Sequence, residues 1–110
     1  MKNTPPTVDE LNEIQRQWMA LESTATDKEK NRVFALMKSY PRAYLSVTKD
    51  KSMASVMVDN CPMWTQARPI KDALRWLMDL RDHRQHTGVR TDVAWCAALE
   101  KWVDVSEVMP

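Results

Sequence analysis

The sequence has a single glycine, Gly88, among its 110 residues. Loops that bind nucleotide phosphates need several glycines, because the backbone approaches the ligand closely there. Barrels and sandwiches made only of strands need many tight turns. The shortage of glycine therefore argues against nucleotide binding by the known loop motifs and against an all-β barrel or sandwich.

Cysteine is also scarce, with Cys61 and Cys96 alone, and the first residues contain no hydrophobic segment typical of a secretory signal. We interpret the two thiols as reduced and expect a cytoplasmic protein. The longest apolar run, residues 93–99, is far shorter than the roughly 20 residues needed to cross a bilayer. We therefore expect no membrane partner.

Apolar residues make up 44% of the chain and charged residues 28%, as in an ordinary globular protein. We expect residues 1–6 to be a flexible lead-in and residues 7–110 to be a single globular domain. The net charge is +1, but residues 41–91 carry +4 and residues 92–110 carry −3. This asymmetry fits either an anionic partner for the centre or two surfaces that attract each other.

Two capping boxes, Thr7 to Glu10 and Thr26 to Glu29, mark the starts of two helices. The spacing predicts helix one over residues 8–22, and Pro41 ends the second helix. Apolar residues recur at helical spacing in both segments: Leu11, Ile14, Trp18 and Leu21, then Val33, Leu36, Met37 and Tyr40. The first 40 residues therefore predict an α-hairpin.

Residues 42–58 alternate apolar and polar side chains at the period of a half-buried strand. They predict a β-hairpin, with a short helix from Ser52 as the alternative. Pro69 is a favourable helix start and Gly88 a helix stop, which predicts a third helix between them. The spacing of Trp95, Leu99 and Trp102 predicts a fourth helix.

These elements predict a helix-dominated α+β fold of order α-α-β-β-α-α. Two α-hairpins surround a small β-hairpin, and all of them share a single core. Trp18, Leu74 and Trp102 lie centrally on the predicted apolar stripes, so we expect them in that core.

Catalytic and metal chemistry have weak support. His83 and His86 follow Asp79 and Asp82 by four residues, but no HExxH motif or close cysteine pair accompanies them. We interpret them as surface charges and Cys96 as a small buried hydrophobe. We expect no catalytic residue, no metal and no cofactor, with a small metal-dependent or cysteine enzyme as the weakest alternative.

The basic helix of residues 68–90 suggests a second alternative, a nucleic-acid-binding regulator. Three aspartates interrupt its charge and no known nucleic-acid motif is present, which weakens this hypothesis. The cations that it would use are Arg68, Lys71, Arg75, Arg81, Arg84 and Arg90, supplemented by Arg42, Lys49 and Lys51. Tyr44 would add a stacking surface.

Large aromatic and arginine side chains meet around helix three, and such residues commonly anchor protein interfaces. The predicted partner-binding residues are Met63, Trp64, Arg68, Lys71, Arg75 and Trp76. We expect a small non-catalytic regulatory or inhibitory accessory protein that binds another macromolecule, most simply a protein. A homodimer is an alternative assembly.

Overall fold

A computed structural model describes residues 5–21, 24–58, 61–62 (main chain), 66–83 and 88–109. The chain divides into two compact units, Met1–Tyr40 and Pro41–Pro110. The prediction of one globular domain over residues 7–110 stays a prediction. The described elements are α1 (Val8–Met19), α2 (Asp27–Met37), β1 (Ala43–Val47), β2 (Met53–Val58), β3 (Cys61–Pro62), β4 (Arg68–Pro69), α3 (Ile70–Asp82), β5 (Val89–Cys96), β6 (Lys101–Asp104) and a 3₁₀ turn (Val105–Glu107).

The two predicted capping boxes start α1 and α2. The backbone N–H of Glu10 donates to Thr7 Oγ1 at 3.2 Å, and the Thr7 hydroxyl donates to Glu10 Oε1 at 3.3 Å. Thr26 and Glu29 repeat this arrangement. Each threonine accepts one of the N–H groups that a helix start leaves without an intrahelical partner. Local sequence therefore defines where both helices begin.

The Met1–Tyr40 unit is an antiparallel helix pair with few buried side chains. Leu11, Ile14 and Val33 are buried, and the Tyr40 hydroxyl donates to Gln15 Oε1 at 2.7 Å. This bond ties the end of the second helical segment to the first half of α1. Trp18, which we expected in the core, is 39% exposed, although its ring packs on Phe34 of α2 with the centroids 5.3 Å apart.

The Pro41–Pro110 unit is built on a mixed sheet of order β3-β2-β1-β5-β6, with β4 also paired to β2. Its central pair, β1 and β5, is parallel, and the other pairs are antiparallel. The sheet is therefore two antiparallel hairpins, β1–β2 and β5–β6, joined side by side. Strand β2 follows the predicted β-hairpin, so the alternative of a helix from Ser52 is wrong.

Helix α3 packs against β1, β2 and β5. Alternate residues of β1 are buried, and Leu45 lies between Val56 of β2 and Ala94 of β5 in the sheet register. Paired residues share a face of a sheet, so these side chains form one apolar layer. Leu77 of α3 is fully buried in the same cluster.

The predicted helix-dominated fold of two α-hairpins is wrong, because residues 89–104 form the hairpin β5–β6 instead of a fourth helix. Val93 and Ala94 are adjacent and both are buried, so β5 is buried on its two faces. A strand of this kind lacks period-two alternation and cannot be told from a short buried helix by spacing. Trp95 and Trp102 are cross-strand partners, not members of one helical stripe.

Candidate interaction surface

The structure brings together four of the six residues predicted to bind a partner. Arg68 lies on β4, and Lys71, Arg75 and Trp76 lie on the first two turns of α3. We call these four residues the α3 patch. Met63 and Trp64, the other two predicted residues, lie outside the described residues. Arg68 contacts Trp76, and Lys71 and Arg75 lie one turn apart on the same helix.

Helix α3 presents this patch because its opposite face is buried. Pro69 occupies the N-cap with φ −50°, and Ile70, Ala73, Leu77 and Leu80 are buried. Lys71 and Arg75 are four residues apart and both are exposed, so they lie one turn apart on the outer face. The helix ends at Asp82, before the predicted stop at Gly88.

Arg68 and Trp76 are held together by a cation–π contact. The guanidinium carbon of Arg68 lies 4.8 Å from the centroid of the Trp76 ring, and both side chains are half-buried. The contact orders two large side chains that are otherwise costly to fix in one conformation. Strand β4 anchors Arg68 from the other side, because it pairs with Ala54 of β2. The Arg68–Trp76 pair is therefore already ordered, at one edge of the α3 patch, before any partner binds.

The charges of α3 are divided along the helix. In the C-terminal half, Arg81 Nε donates to Asp82 Oδ1 at 2.7 Å and holds the pKa of the Asp82 carboxyl below its usual range. Arg81 is exposed. Lys71 and Arg75 have no ion pair within the part of the chain that the structure describes. Lys71 and Arg75 outnumber the exposed Asp72 of the first turn, so the N-terminal half of α3 has a net charge of +1.

The turn between β1 and β2 adds two exposed lysines beside the α3 patch. Met53 pairs with Pro69, so the start of β2 lies next to the start of α3, and Lys49 and Lys51 precede it in the turn. Lys51 has a φ of 62°, a conformation that costs a residue with a side chain about 1–2 kcal/mol. The sequence suggested these two lysines only as supplements to the basic helix.

Asp50 organises this turn. Its carboxylate accepts from the Thr48 hydroxyl at 2.6 Å and from the Ser52 backbone N–H at 3.0 Å. These bonds lower the pKa of Asp50 to about 2, with the Thr48 bond the largest cause. Asp50 is therefore ionised at neutral pH and engaged within the turn, while both lysines project outward.

Other members of the predicted basic set lie elsewhere. Arg42 precedes β1, at the strand end away from the β1–β2 turn, and its backbone N–H donates to Gly88 O at 3.0 Å. The side chain of Arg90 is mostly buried and its Nε donates to Asp92 Oδ1 at 2.8 Å. Arg84 lies outside the described residues. The predicted basic set is thus divided between separate places.

The residues considered for catalysis do not assemble a centre in the described chain. His83 Nε2 lies 3.8 Å from Asp79 Oδ1 on an exposed part of α3, and His86 lies outside the described residues. Cys96 is fully buried in β5. Within residues 5–21, 24–58, 66–83 and 88–109, no group of three or more His, Cys, Asp and Glu could hold a metal ion.

An aromatic cluster on the sheet face away from α3 escaped the sequence prediction. The Tyr44 and Trp102 ring centroids are 4.8 Å apart, and Trp95 and Trp102 are 5.8 Å apart, both pairs edge to face. Burial raises the pKa of the Tyr44 hydroxyl. Tyr44 therefore packs within the fold and does not offer the open stacking surface suggested for nucleic acid. Reading residues 89–104 as two strands would have revealed the cluster.

Comparison with known proteins found no matching family, no matching curated protein and no matching solved structure. Among the described residues, none of the helices has both the length and the apolar character needed to span a membrane.

Proposed function

We propose that the protein is a small non-catalytic regulator or inhibitor that binds an acidic surface of another protein through the α3 patch. The observation that carries this proposal is the Arg68–Trp76 stack next to the exposed Lys71 and Arg75. Arginine and tryptophan are the residue types most enriched at energetically important interface positions. Their side chains are already ordered here, which lowers the entropy lost on binding.

Electrostatics supports an acidic partner. The N-terminal end of a helix carries partial positive charge, and Lys71 and Arg75 increase the positive potential at that end. Lys49 and Lys51 extend the same sign across the neighbouring turn. Asp72 offsets part of this charge in the first turn, and Asp79 and Asp82 outnumber Arg81 in the C-terminal half, so the excess of positive charge is at the N-terminal end. Such a pattern favours one orientation of a partner over its reverse.

Nucleic acid is the second candidate, because the β1–β2 turn brings Lys49 and Lys51 to the cations of the α3 patch. Phosphate binding would need only this positive charge, whereas the proposed protein interface also uses the Trp76 surface. The Tyr44 ring is half-buried and packs edge to face on Trp102, so it does not offer an open surface on which a base could stack. We therefore favour the protein partner.

The test begins with capture of a partner from the native host, followed by titration of the purified partner. Lys71→Glu combined with Arg75→Glu should weaken binding at least about tenfold without loss of folding. Lys28→Glu combined with Arg32→Glu is the matched control, since it makes the same change in net charge on α2. Equal binding by both double variants would contradict the proposed surface.

Fluorescence anisotropy with single-stranded and double-stranded oligonucleotides distinguishes the second candidate. We expect weak association that largely disappears between about 50 and 200 mM salt, as for a few phosphate contacts. Submicromolar binding that persists at the higher salt, and that Lys71→Glu with Arg75→Glu abolishes, would make the nucleic-acid function the better one.

A further inference from the structure

Arg68 differs from the other two cations of the α3 patch in its surroundings. Lys71 and Arg75 are exposed, whereas Arg68 is half-buried and its guanidinium lies over the Trp76 ring. The Nε atom of Arg68 is buried and has no hydrogen-bond partner among the residues that the structure describes. Its Nη atoms are not buried in this way and also donate to none of these residues. The inner edge of the guanidinium is therefore shielded from water, and the outer edge is accessible.

The position of this guanidinium is set by the backbone on one side and by the Trp76 ring on the other. Arg68 pairs with Ala54 of β2, and the next residue, Pro69, has a φ of −50° that its ring fixes. A cation–π contact attracts the positive charge to the ring and uses none of the N–H donors of the guanidinium. The guanidinium is therefore held in place while its outer donors stay available.

No carboxylate neutralises Arg68 in the described part of the chain. Asp72 is the acidic residue nearest to Arg68 in the sequence and lies one helical turn before Trp76, but it is exposed and makes no ion pair with Arg68. A charge that is partly shielded from water gains more from a nearby carboxylate than an exposed charge does, because the lower dielectric strengthens the attraction. Arg68 is therefore the cation of the α3 patch best placed to form a strong ion pair with a partner.

Given the function proposed above, which this assignment requires, we propose that Arg68 is the specificity-determining residue of the α3 patch. Its two Nη atoms donate to the two oxygens of one carboxylate on the partner protein. A guanidinium presents parallel N–H groups that match the oxygens of a carboxylate, and a pair of such bonds fixes the orientation of both groups. Lys71 and Arg75 are exposed, so water screens their charges, and they attract an acidic surface without selecting the position of one group.

The first experiment titrates the full chain with a defined acidic probe, acetyl-hexaglutamate amide, and with acetyl-hexaglutamine amide as its uncharged counterpart. NMR spectra of the arginine Nε–Hε groups at low ionic strength follow both titrations. Because Arg68 Nε is buried, its proton should exchange slowly with water and give a distinct signal. We expect hexaglutamate to shift the Arg68 signal saturably and hexaglutamine to leave it unchanged. A shift of the Arg75 signal without a shift of the Arg68 signal would overturn the role of Arg68 and leave the proposed surface intact.

The second experiment compares Arg68→Lys with Arg75→Lys, a matched pair of variants that both keep the positive charge and remove the guanidinium. Arg68→Lys should raise the dissociation constant of the hexaglutamate probe at least about threefold, because a lysine cannot donate two parallel N–H groups to one carboxylate. Arg75→Lys should leave this constant within about twofold of the native value. Circular dichroism and thermal unfolding establish that both variants keep the native fold. Equal weakening by the two variants would contradict the assignment.

Binding to the captured partner separates this assignment from the proposed function. If Lys71→Glu with Arg75→Glu weakens binding and Arg68→Lys does not, the partner responds only to net charge and the role given to Arg68 is wrong. If neither change weakens binding, the proposed surface itself is wrong. A thymidine oligonucleotide with the same charge as hexaglutamate is the last probe. Tighter binding of this oligonucleotide, lost in Arg68→Lys, would assign the guanidinium to phosphate and overturn the carboxylate.

Discussion

The Pro41–Pro110 unit buries a cluster of eleven apolar residues around α3 and the sheet, whereas the described part of the Met1–Tyr40 unit buries Leu11, Ile14 and Val33. Helix α3 packs across β1, β2 and β5, and alternate residues of β1 reach the shared apolar layer. Two helices alone contact each other along one narrow seam. Residues 41–110 therefore hold most of the described core, whereas the α1–α2 pair leaves its aromatic residues partly exposed.

The largest expected difference between the two units is in the free energy of unfolding that is lost when one tryptophan in each is replaced by alanine. Trp102 is 3% exposed and contacts the rings of Tyr44 and Trp95, so Trp102→Ala should lower the free energy of unfolding by about 3–5 kcal/mol. Trp18 is 39% exposed, so Trp18→Ala should cost only about 1–2 kcal/mol. Urea unfolding followed by circular dichroism measures both. Equal losses would remove the proposed distinction between the units.

The capping box of α2 provides a smaller and local effect. Thr26→Ala removes the acceptor of the Glu29 backbone N–H and should cost about 1 kcal/mol. Hydrogen exchange should accelerate in the amides of α2 and remain unchanged in α3, because the cap supports only its own helix. Ser39→Ala, just beyond α2, serves as the control. Faster exchange throughout α3 would show that the helix pair and the sheet unit unfold together.

The pKa of Asp50 tests the hydrogen bonds of the β1–β2 turn, which belongs to the Pro41–Pro110 unit. The folded pKa of about 2 lies below the ordinary value of 3.8, so the hydrogen bonds of the carboxylate favour folding above about pH 4. That contribution is lost as the pH falls from about 4 to about 2. NMR titration of the Asp50 carboxyl should give the low pKa in the native chain.

Thr48→Val removes the largest cause of this depression and should raise the pKa of Asp50 toward its ordinary value. Thr91→Val is the control, because the Thr91 hydroxyl accepts from Arg81 away from this turn. An unchanged pKa of Asp50 in Thr48→Val would mean that the turn is organised by other contacts.

The sequence predicted correctly the helix starts, which depend on residues close together in the chain. It failed for β5, which is buried by residues far away in the chain. The capping threonines Thr7 and Thr26 act within four residues, and both helix starts were predicted correctly. The alternation in β1 predicted a strand, because that strand exposes one face more than the other. In β5, burial of both Val93 and Ala94 removed the alternation, and the spacing of the tryptophans then suggested a helix.

Prediction of the candidate surface also depended on how far apart in the chain its residues lie. Lys71, Arg75 and Trp76 lie on neighbouring turns of one helix, which helical spacing predicts, and their role in binding a partner stays a prediction. The proximity of Lys49 and Lys51 depends on pairing between β2 and the two-residue strand β4, which has no periodicity to detect. Trp18 packs on Phe34 of α2 and is still 39% exposed, and a stripe of apolar letters does not show how much of each side chain the neighbouring helix covers.

The parallel pairing of β1 and β5 also has a consequence for how the chain folds. Leu45 and Ala94 are partners in the sheet but lie forty-nine positions apart in the chain. The hairpins β1–β2 and β5–β6 close through short turns, so we expect them to form early, whereas their union requires closure of a long loop that contains α3. Docking of the two hairpins should therefore limit the folding rate, and substitutions at the β1–β5 junction should slow folding more than substitutions in either turn.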